Sequence, residues 1–239
     1  MGNVYFEGGL KKLYAAHTDV SSTATHCLFF VANEHSLTQP SILIQCKLTC
    51  LRYRMYFAFL RRPLQAWEYV SSASSKCLIL LSYPSTSPED DSQSQCLERI
   101  RRIFWACYVL ESDYLAELSS LPLSGIARIE ASVPLPSDTY HTHNSPREEE
   151  LSSLYFLAFI SMRRLLNRVH QLLYARGTGA GMDNARFPFV VAELDHQLEE
   201  WRSVLPSAFA FDVGFHGKKA ETEHGGFLRQ RYLTCRSVI

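Results

Sequence analysis

The segment 96–136, in which CLERIRRIFWACYVLESDYLAEL runs into SSLPLSGIARIEASVPLP, limits the possible folds more than any other stretch of the chain. Leu97, Ile100, Ile103/Phe104, Cys107, Leu110, Tyr114 and Leu118 recur every three or four residues, and Glu98, Arg99, Arg101, Arg102 and Asp113 mostly fall between them. That period belongs to an amphipathic helix, apolar on one face and charged on the other. At 1.5 Å per residue it spans roughly 34 Å, about the width of a small domain, so other elements should pack around it with Trp105 buried. Leu121-Pro122 ends the pattern.

The rest of the chain reads as further helices joined by polar linkers. A short helix is expected at 5–14, and the apolar run 26–32 is too short for periodicity to separate helix from strand, though its helical surroundings favour helix. Pro40 and Pro63 suit helix starts for 42–60 and for 64–81, where Leu64, Trp67, Val70/Ser71, Ser74, Cys77/Leu78 and Leu81 keep helical spacing. Residues 83–95 and 137–145, rich in Ser, Pro and polar groups, read as exposed linkers.

Ser145, Pro146 and Glu148 then form the clearest helix start, a capping box reinforced by Glu149 and Glu150 at the positive end of the dipole. That helix should reach about Arg176, with Gly177 as its stop. Pro188 opens another, with Val191, Leu194, Leu198, Trp201 and Leu205 inward and Pro206 ending it. Phe209, Phe211, Val213 and Phe215 alternate with small or polar residues, as in a short extended segment. After a polar linker, 227–239 begins a last helix with Leu228, Tyr232 and Cys235 on one face. Its pattern is still running at Ile239, so the expectation is a truncated chain.

The expected fold is all-α, one helical domain over 1–239, since 239 residues of which 46% are hydrophobic can bury a core. Lys plus Arg balance Asp plus Glu at 24 each, leaving no basic excess to hold a phosphate backbone. Seven cysteines without a CxxC pair read as reduced core thiols. The first residues show no secretory signal, and apolar runs fall short of the roughly 20 residues that span a bilayer, so a soluble intracellular protein is expected. Phe6 and the position of Cys235 rule out the lipidation patterns they imitate.

No constellation carries catalytic, cofactor or metal chemistry, and a ligand site cannot be named from the sequence. Cys46 and Cys50 lie one turn apart without further ligands to complete a tetrahedral site. His141 and His143, near Glu148 to Glu150, sit in a solvated loop. Gly177, Gly179 and Gly181 imitate a phosphate loop but follow a helix instead of a strand. Glu199-Glu200 reads as solvated charge, as do Arg99/Arg101/Arg102 and Arg163/Arg164/Arg168, the arginines pairing with acids of neighbouring helices instead of with nucleic acid.

The series RIRRIFWACYVLESDYLAEL, LPLSGI and VPLP, in that order, resembles the middle region of fungal zinc-cluster transcription factors, in which an Arg-rich, Trp-containing helix precedes a "PLP" loop. RPLQAWEYVSSAS resembles that family's first signature, though Leu80 to Pro84 replace its usual glycine-containing end. LAFISMRRLLNRVHQLLY and AELDHQLEEWRSVLP are similar to later segments. The resemblance implies a nuclear, non-enzymatic regulatory region that modulates RNA polymerase II transcription, with a biosynthetic pathway as one target class. Implied partners are proteins of the transcription machinery, with a small-molecule effector and a homodimer as further expectations, and no direct nucleic-acid or membrane contact. The Cys-x2-Cys-x6-Cys repeat that would fold a binuclear zinc cluster is missing from these 239 residues, so zinc is expected only in a module outside this chain. A helical interaction module without a transcriptional role, and less so a helical enzyme, would show the same periodicity.

Overall fold

The computed structural model describes residues 57–82, 91–118, 120–137, 146–175, 179–180, 183, 185–214 and 222–239. The expected helix at 5–14, the run 26–32 and nearly all of 42–60 lie outside them, as do Cys46, Cys50, His141 and His143. Among the described residues every regular element is helical, as the all-α reading requires. The chain divides into two compact units, Met1–His143 and Asn144–Ile239.

In the first unit, α1 (Pro63–Ser82) packs along α2 (Asp91–Glu117). α1 buries Ala66, Trp67, Val70, Ala73, Ser74 and Cys77, mostly small residues at helical spacing, so the backbones of the two helices can approach closely. Cys77 points its Sγ at the Ile100 carbonyl 3.7 Å away. Leu64, expected inward, is exposed on the first turn.

α2 starts at Asp91, six residues before the apolar period begins at Leu97, because Asp, Ser and Gln suit a helix start as well as a linker. Residues 102–109 are buried around the whole circumference of the helix, Trp105 included, at 1% exposure. Of the charges expected on the outer face, Glu98 is 5% exposed and Arg102 3%, whereas Arg99, Arg101 and Asp113 are half-buried; Glu111 is buried as well, and Leu97 on the supposed apolar face is 40% exposed. The physical reason is the chain that follows. Residues 120–137 fold back over the helix as a strap whose 3-10 segment Ile126–Ser132 packs on both α1 and α2.

In the second unit, α3 (Pro146–Val169) carries Glu148 and Glu149 in its first turn and widens into a π-turn at His170–Tyr174. α4 (Phe187–Ser203) has Pro188 in its first turn, and α5 (Glu223–Val238) begins four residues earlier than the apolar pattern, with the Thr222 side chain accepting from the Gly225 N–H at 3.1 Å. Glycines and a histidine at 224–226 hide this start from propensity, whereas Thr222 is an ordinary N-cap. The core joins Tyr155, Met162, Leu166 and Val169 of α3 to Leu194, Leu198 and Trp201 of α4 and to Leu228, Tyr232 and Cys235 of α5.

Phe209 closes a short 3-10 turn, and extended backbone at Ala210 leads to Phe211, so the alternation seen in the sequence buries Phe209 and Phe211. No strand forms there among the described residues, because no neighbouring strand offers a ladder. Phe215 lies outside the described residues.

Candidate functional site: a strap fastened to the central helix

Three sets of polar bonds fix the strap to α2. At its near end, Glu111 accepts from the Ser124 N–H at 3.0 Å and from the Ser124 hydroxyl at 2.6 Å, and the same hydroxyl accepts from the Ile126 N–H at 3.2 Å. One carboxylate thereby sets the entry to the 3-10 segment, which Gly125 permits by taking φ +93°, a left-handed conformation that side chains resist. Midway, Trp105 donates its indole N–H to the Pro134 carbonyl at 2.9 Å. At the far end, Arg102 donates to the Ser137 carbonyl at 2.7 Å and contacts Glu98 at 3.3 Å, while Glu98 accepts from the Ser137 N–H at 2.8 Å. Arg101 lies 3.6 Å from the other oxygen of Glu98.

Geometry explains why these residues stand where they do. Glu98, Arg102 and Trp105 follow one another at four and three residues and share a face, whereas Glu111 sits about 140° further round at 100° per residue. The strap leaves the end of α2, is caught at Glu111, and winds back across the helix to Glu98. Between the polar catches, Ile126, Val133 and Pro136 are buried as apolar plugs. A carboxylate at position 111 falls in line with Phe104 and Cys107, on a buried stripe, and a polar group there must be satisfied internally. That was the available signal for a buried acid. The arrangement holds and positions backbone; it brings together no nucleophile and base.

The second unit holds two further polar groups. Tyr232 of α5 donates to Glu199 of α4, which also accepts from Arg202 at 2.9 Å, and Arg236 donates to the Tyr232 hydroxyl at 3.1 Å. The Tyr232 hydrogen bond, with Arg202 and Arg236 nearby, holds the Glu199 carboxyl below its usual range, and burial with the same bond raises Tyr232. Glu199 is thus a strut between α4 and α5, not merely solvated charge, while Glu200 is exposed. Arg163, read from sequence as solvated, is buried and grips Asn167 Oδ1 at 2.7 and 3.0 Å. Its neighbours feel it: burial and then Arg163 lower His170, and burial pushes the Cys235 thiol up to about 12 despite the arginine.

Gly179 has no phosphate role in this geometry. Its N–H bonds the Ala175 carbonyl at 2.8 Å, and a Cβ there would meet the Leu173 carbonyl at 2.6 Å, so the glycine lets the chain turn back over the end of α3. Gly177 and Gly181 lie outside the described residues, as does Ser145. Glu148 and Glu150 are exposed. Arg99 and Arg101 remain near the surface of α2, Arg168 donates to Gln197 at 2.8 Å, and no group of three His, Cys, Asp or Glu among the described residues could hold a metal. No helix among the described residues is long and apolar enough to cross a membrane.

A match to the fungal specific transcription factor domain extends over residues 24–203, three quarters of the chain. The chain belongs to that family. No curated protein and no solved structure matches it. The match spans α1, α2, the strap, α3 and α4, so the polar catches described above lie inside the fungal specific transcription factor domain. The family is one of transcription-factor regulatory regions and not a known enzyme family, and its role is nuclear.

Proposed function

We propose that this fungal specific transcription factor domain acts in the nucleus on RNA polymerase II transcription, as one regulatory region that responds to a small-molecule effector and to proteins of the transcription machinery. A biosynthetic pathway is the proposed target, and self-association to a homodimer the proposed assembly. The observation that carries the reading is the family match over 24–203, with the strap providing the element that can have two states. A strap held by hydrogen bonds at three points and by three small plugs is separable from its helix at far lower cost than α1 is, so a ligand or partner that prefers one arrangement shifts the population by its difference in affinity. Contact with DNA is assigned to a separate module, since this chain carries 24 basic against 24 acidic residues.

The test is to fuse the chain to a heterologous DNA-binding domain in a fungal host and measure a reporter. Regulation that changes on Glu111→Ala, at unchanged protein level, supports the reading. A fusion that neither activates nor represses, and whose addition leaves a strong activator fused to it unaffected, sinks the transcriptional role and leaves the interaction-module alternative.

A further inference from the structure

α1 buries one side and leaves the other open. Ala66, Val70, Ala73 and Cys77 face the core. On the far side Leu64, Glu68, Ser71, Ser72, Ser75 and Ile79 fall within an arc of about 100° at 3.6 residues per turn. The two large apolar groups mark its ends: Leu64 is 62% exposed and Ile79 58%, so most of each side chain meets water. Between them the face is low. Ser75 donates its hydroxyl to the Ser71 carbonyl of its own helix at 2.9 Å, so its donor is satisfied without water, and side chains this small let a second helix axis come within about 8 Å.

Symmetry singles out the occupant. Counted from the midpoint between Ser71 and Ser72, Leu64 and Ile79 stand equally far out, and so do Glu68 and Ser75. A second α1 laid antiparallel about that midpoint sets each Leu64 on the partner's Ile79, each Glu68 beside the partner's Ser75, and serine on serine at the axis. A two-fold interface requires this kind of patch, one that complements itself so that residue i meets j and j meets i. The same register keeps like charges apart, because Glu68 and the partner's Glu68 are offset by seven residues, roughly 10 Å along the axis and about one Debye length. Area sets the strength. A helix of 20 residues is about 30 Å long and roughly 10 Å wide, so two such faces cover on the order of 600 Å², about half of what stable complexes bury.

We propose that this face of α1 is a self-association surface, on which a second copy of the chain packs its own α1 antiparallel to form a weak, reversible dimer. The inference rests on the homodimer reading above and names its interface. The test is analytical ultracentrifugation of the full chain from about 5 to about 500 µM, with a dissociation constant on the order of 100 µM expected. Leu64→Glu and Ile79→Lys should each weaken association by at least about tenfold, and a one-to-one mixture of the two variants should recover most of it. In the mixed pair the introduced acid meets the introduced base across one end, while the other end keeps its Leu64–Ile79 contact. Positions 64 and 79 lie about 22 Å apart along one helix, so the recovery needs two chains. Both positions are exposed, and the melting temperatures should match the parent's, which separates lost association from lost fold. A dimer indifferent to both substitutions, or a mixture no stronger than its components, overturns this face and leaves the homodimer reading standing. A parent chain that stays monomeric at about 500 µM overturns both.

Discussion

Replacing Arg102 by methionine tests whether the strap is held by a buried charge pair. Methionine keeps most of the stem and removes the guanidinium, so Glu98, 5% exposed, loses its partner at 3.3 Å and the Ser137 carbonyl loses its donor at 2.7 Å. The Ser137 N–H at 2.8 Å and Arg101 at 3.6 Å remain. Breaking a buried pair from one side costs about 3–5 kcal/mol, because the remaining charge stays out of water. Arg101 remains as a partly exposed reserve, which places this case near about 3 kcal/mol, or a fall in Tm of roughly 6–12 °C for a chain of this size.

Adding Glu98→Gln to Arg102→Met removes the stranded charge and should restore about 1–2 kcal/mol, a sign no additive account produces. Calorimetric melting of the four proteins in the cycle, together with amide exchange at Ser137, measures both effects. An Arg102→Met protein within about 0.5 kcal/mol of the parent, or a double variant less stable than Arg102→Met, would refute the reasoning.

Four other outcomes are expected. Trp105→Ala should cost about 3–5 kcal/mol in urea unfolding as a large-to-small core change, whereas Trp105→Phe should cost less than half of that because the exposed Pro134 can turn its carbonyl to water; an unchanged melt for Trp105→Ala contradicts its burial. Glu111→Ala should raise amide exchange at Ser124 by tenfold or more with little change at Leu198, and equal effects at both would show global unfolding instead of local release. With the Cys235 thiol raised by burial from 9.0 to about 12 and Tyr232 raised as well, their contribution is complete below about pH 9 and is lost as pH climbs toward 12. Cys235→Ala should flatten that alkaline decline, and a decline identical to the parent's argues against it. Glu199, lowered by its bond to Tyr232, contributes above the ordinary carboxylate range, and the contribution is lost as pH falls through the lower folded value. The acid side of the stability profile should therefore be shallower for Glu199→Gln.

Period alone was enough for the helices among the described residues, because Leu194, Leu198 and Trp201 or Leu228, Tyr232 and Cys235 can share one face only in a helix. It misjudged which residues of α2 lie inward, since a period reports one apolar face and says nothing about what folds over the other. Glu98, Arg102 and Arg163 look like solvent-facing charges when counted locally, and each is buried by chain distant in sequence or on another helix. The contact of α3 with α4 was equally hidden: Ser161 and Trp201 lie forty residues apart on two helices, and only packing makes them neighbours. The Thr222 cap was present in the sequence but outweighed by the two glycines after it.

The text by which the family is recognised turns out to be the text that fastens the strap. ESD contributes Glu111, SGI contributes its two donors at Ser124 and the left-handed Gly125, the Arg-rich start contributes Arg102, and VPLP contributes Val133, the carbonyl of Pro134 and the plug Pro136. None of these residues forms a reaction centre, and most of their bonds go from a side chain on α2 to backbone atoms of the strap. Bonds to backbone specify where a segment sits whatever its outward side chains are, and Leu123, Arg128 and Leu135 stand exposed on the strap. A strap in fixed register with an exposed outer surface suits recognition of a partner. The prediction is directional: charge reversal at Arg128, exposed on the strap, should leave the stability within about 0.5 kcal/mol of the parent and change reporter output, whereas Glu111→Ala should change both. If Arg128→Glu destabilises the fold as much as Glu111→Ala, the outer surface of the strap is structural and the division of labour between the two faces fails.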